Sequence, residues 1–152
     1  MQPMQDIPVY KALAALFAEE KVDTVFALMG DANMYWAIAM AEEHGAEVVH
    51  ARHENSACAM ADGYARASGK VGVVTTTTGP GFTNLMTALT AAVRHRTPLI
   101  VFAGDTPMSG AFHGQWLDQR PFAEATGARF MALRDADRIA QDVRDAFYYA
   151  RH

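Results

Sequence analysis

The sequence predicts an α/β fold, an open and mainly parallel sheet with helices on both faces, and three observations carry that expectation. Short apolar runs at residues 24–28, 47–50, 71–76 and 99–103 alternate with longer stretches of helical periodicity. The runs are nearly continuous in apolar residues, as strands buried on both faces require. Glycine and proline fall between them, at Gly30, Gly45, Gly69, Gly79-Pro80-Gly81 and Pro98, where the chain must turn.

Pro8 opens the first helix, in which Val9, Leu13, Leu16 and Phe17 recur at helical spacing as far as about Lys21. Residues 24–28 form a β-prone run that stops at Met29-Gly30, and residues 34–43 then read as a helix ended by Gly45. The pattern repeats, with 47–50 as strand, 54–67 as helix closed by Gly69, and 71–76 as strand. Residues 79–81 are a loop and 82–94 a single helix. After the fourth strand at 99–103 comes the longest irregular stretch, 104–122, then a candidate fifth strand at 129–133 and a last helix over 135–150. In such sheets ligands bind outside the carboxyl ends of the strands, so the loops at 29–33, 51–54, 77–81 and 104–115 are expected to converge on one rim.

Composition narrows the function classes. The 152 residues are 51% hydrophobic and 20% charged, enough for one domain with a sizeable core and too apolar for a disordered chain. Net charge is −4, from 13 Lys and Arg against 17 Asp and Glu, with no basic run, which argues against a nucleic-acid partner. The single cysteine, Cys58, excludes an intrachain disulfide and a multi-thiolate metal site. It is expected to be a buried small residue. No apolar run approaches the roughly 20 residues of a membrane span, and the first ten residues lack a signal-peptide pattern. A cytoplasmic protein without membrane contact is expected.

Two helices are unusual in composition. Ala57, Cys58, Ala59, Ala61, Gly63, Ala65 and Ala67 make one small on several faces, and Phe82, Leu85, Met86, Ala88, Leu89, Ala91, Ala92 and Val93 make the next apolar nearly all round. Both are expected to pack against something beyond their own sheet.

Glu54 follows Arg52-His53 where a strand gives way to a helix, so its carboxylate projects from the sheet rim and can bind a ring nitrogen. The alternative is a solvated carboxylate that complements the helix dipole. Thr75 to Thr78, Gly79-Pro80-Gly81 and Phe82-Thr83-Asn84 combine a polar strand end, a tight turn and a helix start. Such a segment presents N–H groups and hydroxyls to a ligand, or forms an ordinary turn, and it matches no nucleotide-binding spacing.

Taken together, these segments resemble the pyrimidine-binding (PYR) domain of thiamine diphosphate enzymes of the acetolactate synthase and pyruvate decarboxylase group. The resemblance rests on Val25-Phe26 leading to Gly30, on Arg52-His53-Glu54 with Ala61-Asp62-Gly63-Tyr64-Ala65-Arg66, on Gly79-Pro80-Gly81-Phe82-Thr83-Asn84, and on residues 98–107. It extends from about residue 8 to 150. The resemblance implies that Glu54 hydrogen-bonds the aminopyrimidine ring of thiamine diphosphate and favours the tautomer that removes the thiazolium C2 proton, a role that needs partial shielding from water. It implies that Gly30, Thr77, Gly79, Pro80, Gly81, Asn84 and Gln115 line the cofactor's pocket. It gives Asp31 a role in handling protons near the substrate, with an N-cap for the helix from Met34 as the structural alternative. His113 matches a position facing the reaction centre, where an imidazole, which can gain and lose a proton at cellular pH, can act as a proton shuttle. His53 is expected to shape the Glu54 turn, and Tyr64 and Arg66 to pack their helix.

The same resemblance implies Mg²⁺ held with the diphosphate by a separate PP domain, whose Gly-Asp-Gly motif this chain lacks; no metal ligands are assigned here. The family's PYR domain also continues into an edge strand that this chain does not contain. The expectation is therefore the aminopyrimidine-binding half of an enzyme acting on 2-oxo acids, by decarboxylation or carboligation, inactive without a PP domain. That domain belongs to the same longer chain or to a separate subunit, and the small-residue helices form a homodimer contact. The alternative is a non-catalytic PYR-fold assembly module, in which Glu54→Gln is silent and a bulky residue at Ala61 breaks association. A nucleotide-binding α/β domain is the third reading.

Overall fold

The computed structural model describes residues 7–107 and 113–152. Its elements in order are α1 (Val9–Glu19), β1 (Thr24–Ala27), α2 (Met34–His44), β2 (Glu47–His50), α3 (Glu54–Ser68), β3 (Gly72–Thr76), α4 (Pro80–Thr83), α5 (Met86–Arg94), β4 (Leu99–Ala103), α6 (Arg120–Thr126) and α7 (Ile139–Arg151). The four strands form a parallel sheet in the order β2-β1-β3-β4, with Phe26 opposite Val74 and Val74 opposite Val101.

Alternate strand residues serve opposite layers. Val25 and Val73 face a core built with α1, α2 and α7, around Phe17, Trp36, Met40 and Phe147. Phe26 and Val74 face a second core with α3, α5 and α6, around Cys58, Ala61, Phe82, Leu85 and Leu89. Covering both faces is what makes the strand sequences continuously apolar. Phe17 sits at the middle of the first core, with ring centroids 5.0 Å from Trp36 and 5.2 Å from Phe147.

Four expectations need correction. Residues 129–133 are not a strand: no strand pairs with the outer edge of β4 among the described residues, and this segment instead lines a cleft beside it. The helix expected over 82–94 is two, broken at Asn84-Leu85, where Thr83 Oγ1 bonds back to the Pro80 carbonyl. The irregular stretch 104–122 includes the start of α6, opened by Pro121 in its first turn, while its middle, 108–112, lies outside the described residues. The last helix starts at Ile139, because Asp135 accepts from the Asp137 amide and holds a turn there.

The unusual helices are also resolved. The large side chains of α5 are buried within the domain against α3, α6 and the sheet, leaving Thr87, Thr90, Ala91 and Arg94 outside. On α3, Ala57, Cys58, Ala61 and Ala65 admit α5 and the sheet, whereas Ser56, Ala59, Gly63 and Ala67 form an exposed small-residue stripe. Ala61 is fully buried, so a bulky residue there would disrupt the core and not test association. No helix of the described residues is long and apolar enough to cross a membrane.

Candidate functional site

The strand order reverses between β1 and β3, which opens a crevice at their carboxyl ends. The loops expected to share one rim do meet there. A Cβ on Gly30 would lie 2.9 Å from Thr77 Cβ, one on Gly81 would lie 2.8 Å from Thr77 Cγ2, and one on Gly104 would lie 2.3 Å from Ala32 Cβ. The turns after β1, β3 and β4 are thus pressed together at spacings that only glycine permits.

Glu54 stands in this rim as the first residue of α3. His53 supplies the N-cap, its ring Nδ1 accepting from the Asn55 amide at 3.1 Å, which fixes the turn that delivers Glu54. Glu54 is only 7% exposed, so the solvated first-turn alternative does not describe it. Its Oε2 accepts from Asn84 Nδ2 at 3.1 Å, and its Oε1 turns toward Gly81, where a Cβ would lie 3.4 Å away. The helix break before α5 places Asn84 for that bond. Asn55 holds the arrangement from the other side, its Oδ1 accepting from the Ala88 amide at 2.9 Å and tying the start of α5 to α3.

Gly79 has φ +45°, and a Cβ there would meet the Gln115 carbonyl oxygen at 2.1 Å. Thr78 Oγ1 donates to Gln115 Oε1 at 3.2 Å. Gln115 therefore packs its backbone against Gly79 and bonds the same turn through its side chain. His113 is exposed, its Nδ1 accepting from the Gln115 amide at 3.3 Å, and no described bond connects it to Glu54 or Asn84. Asp31 is exposed on the turn after β1; the N-cap position of α2 belongs to Asn33, so the capping alternative for Asp31 falls away. Pro80 opens α4 beside Gly81.

The neighbouring residues act on structure. Tyr64 donates to Asp23 and packs its ring on Phe26 at 5.7 Å. Arg66 pairs with Asp62 and, with Thr97 and His95, holds that carboxyl below its usual range. Burial, with Asp62 nearby, pushes the Cys58 thiol up to about 12, which leaves it an inert core residue. Sequence reasoning missed Asn33 and Asn55 as builders of the site. An asparagine at a helix start signals only a cap, and its burial against distant strands carries no local signal.

A cleft of about 700 Å³ lies away from Glu54, along the free edge of β4, where Leu99, Ile100, Val101, Phe130 and Leu133 face it. Every residue of β4 is half-buried, unlike the fully buried β3.

A buried carboxylate paired with an amide thus stands in a glycine-lined crevice at the switch point of a parallel sheet, the place where such sheets bind ligands. The family model described as the N-terminal TPP binding domain of thiamine pyrophosphate enzymes matches residues 7–123, and the chain belongs to that family. It is 33% identical over 134 residues to an acetolactate synthase large subunit of Haemophilus influenzae, covering 87% of this chain and 23% of that protein. It is 42% identical over 94 residues to the mitochondrial acetolactate synthase catalytic subunit of Saccharomyces cerevisiae, covering 62% of this chain and 14% of that protein. The thiamine diphosphate-dependent 4-hydroxybenzoylformate decarboxylase of Rhodococcus jostii shares the fold, with a TM-score of 0.85 at 23% identity over 95% of this chain and 28% of that one. The chain therefore spans less than a third of each of these proteins.

Proposed function

We propose that this chain is the aminopyrimidine-binding half of a thiamine diphosphate-dependent enzyme acting on 2-oxo acids, by decarboxylation or carboligation. The observation that carries the reading is Glu54, a carboxylate withdrawn from water yet placed at the ligand rim of the sheet. When bound, thiamine diphosphate supplies a nucleophilic carbon that adds to the carbonyl of a 2-oxo acid. The residues fit its pyrimidine end. Glu54 Oε2 is occupied by Asn84, so Oε1, beside Gly81, is the atom that holds the proton shared with a ring nitrogen. Asn84 keeps the carboxylate in one orientation, and the missing side chains at Gly30 and Gly81 let Thr77 pack between the turns that frame the crevice. Thr77, Gly79 and Pro80 build the wall of that crevice, and Gln115 braces it. Asp31 and His113 serve proton transfers on the substrate side.

The described residues contain no group of three His, Cys, Asp or Glu side chains that could hold a metal ion. The reading assigns Mg²⁺ and the diphosphate to a PP domain, in the same longer chain or in a separate subunit. The relatives' greater length supports the first arrangement. The cleft beside β4 is then the place for a further strand, which would pair the open edge and give residues 129–133 a neighbour. The exposed stripe of Ser56, Ala59, Gly63 and Ala67 suits a homodimer contact in a cytoplasmic enzyme. The test is Glu54→Gln in the full-length protein, assayed with thiamine diphosphate, Mg²⁺ and a panel of 2-oxo acids. A loss of about a hundredfold or more in kcat is expected, on the scale of general acid–base catalysis. Retention of most activity rejects Glu54 as the proton partner. A protein that binds its partner but turns over no 2-oxo acid, with or without the substitution, is instead the non-catalytic assembly module.

A further inference from the structure

We propose that Asn33 is a positioning residue for this site: its buried amide fixes the turn at Gly30-Asp31 across the ends of three strands and thereby sets the cofactor affinity of the crevice. The inference rests on the reading that thiamine diphosphate binds there. Asn33 occupies the N-cap position of α2, where an asparagine ordinarily accepts from the helix's own first amides. Here it makes no such bond. Its side chain turns back to the sheet, where it is 1% exposed and uses its polar atoms on three partners. Oδ1 accepts from the Gly30 amide at 2.8 Å, and Nδ2 donates to the Leu28 carbonyl at 3.2 Å and to Thr75 Oγ1 at 3.1 Å. Thr75 Oγ1 in turn donates to the Phe102 carbonyl at 2.7 Å.

These bonds begin where the β1 ladder ends. The ladder stops at Ala27, so the Leu28 carbonyl and the Gly30 amide lie beyond it, and the Asn33 side chain serves both. It links the turn to β3 through Thr75 and, through that hydroxyl, to β4. The Gly30 carbonyl is held from the other side by the Asn33 and Met34 amides, at 3.2 and 3.1 Å. The turn has no slack, being pressed on Thr77 at Gly30 and on Gly104 at Ala32. Thr77 touches Gly81, and Gly81 faces Glu54 Oε1. A shift of the turn therefore reaches the carboxylate through three contacts, Gly30 on Thr77, Thr77 on Gly81 and Gly81 on Glu54.

The experiment compares the full-length wild-type protein with Asn33→Ala and Asn33→Asp, measuring the Kd for thiamine diphosphate with Mg²⁺ by calorimetry and the Tm without cofactor. Asn33→Ala is expected to raise Kd about tenfold, the scale of one buried hydrogen bond. Asn33→Asp keeps an acceptor for the Gly30 amide but loses both donors. It is expected to lower Tm while holding Kd within about threefold of wild type. A purely structural role would lower Tm in both variants and leave the Kd of the folded protein unchanged, and that result overturns the proposal, as does an equal loss of affinity in both. Should Asn33→Ala fail to fold, Asn33→Leu fills the same space while removing the same acceptor for the Gly30 amide; a raised Kd supports the proposal and an unchanged one overturns it. Wild-type protein that binds no thiamine diphosphate overturns the functional reading and this inference together, whereas tight wild-type binding with indifferent variants sinks this inference alone.

Discussion

At the residue scale, the candidate site is a set of side chains shaped by what they are denied. Glu54 is denied water, and one of its oxygens is taken by Asn84, so a single oxygen faces the crevice. Gly79 is denied a side chain. Its φ of +45° and the Gln115 carbonyl, 2.1 Å from where a Cβ would sit, leave no room for one. Gly79→Ala is expected to destabilise the fold by about 1–3 kcal/mol, read as a lower urea midpoint at unchanged m-value. It should also loosen the 113–117 segment, seen as faster amide exchange at Trp116, whose amide bonds to the His113 carbonyl. The motif residues were legible in the sequence because glycines, a carboxylate and an asparagine at turns are local signals. Asn33 and Asn55 were not, because the partners that tie them to other elements, Thr75 and the Ala88 amide, lie 42 and 33 positions away.

At the scale of elements, short polar ties at the amino ends of the strands hold the helical layer in register. Asp23, just before β1, receives bonds from Lys70, at the entrance to β3, and from Tyr64 on α3. The Lys70 bond and then the Tyr64 hydroxyl hold the Asp23 carboxyl down at about 2, against a small opposing effect of burial. A carboxyl whose folded pKa is depressed stabilises the fold above its unfolded pKa, and loses that contribution as pH falls through the folded value. Stability is therefore expected to drop between about pH 4 and pH 2. The pair is half exposed, so the share from Asp23 should stay below about 1 kcal/mol. Asp23→Asn should flatten the acid limb of a plot of urea midpoint against pH; an unchanged limb would show that the tie is idle. The break between α4 and α5 is the element that sequence periodicity hid. Phe82, Leu85, Met86 and Leu89 keep helical spacing across the polar pair Thr83-Asn84, and the Thr83 hydroxyl bonding back to Pro80 lies where the helix stops and restarts.

At the scale of the whole molecule, two surfaces stand open among the described residues, the outer edge of β4 and the small-residue stripe of α3. The stripe has a direct test. A Cβ on Gly63 would meet nothing within 4 Å among the described residues, so Gly63→Trp is expected to leave the Tm of this domain unchanged and, in the full-length protein, to shift the sedimentation coefficient toward a smaller assembly. An unaltered assembly would reject the proposed homodimer contact at this stripe. The alternation of strands with helices, the parallel sheet, the family and the rim residues were determined by the sequence alone, since apolar periodicity and turn residues act over a few neighbours. The tertiary structure decided what depends on distant surfaces. It buried the apolar face of α5 within the domain, left residues 129–133 without a strand partner, and turned the Asn33 side chain from its helix to the sheet. In each case the deciding energy is a contact between segments far apart in the chain, to which no local pattern is sensitive.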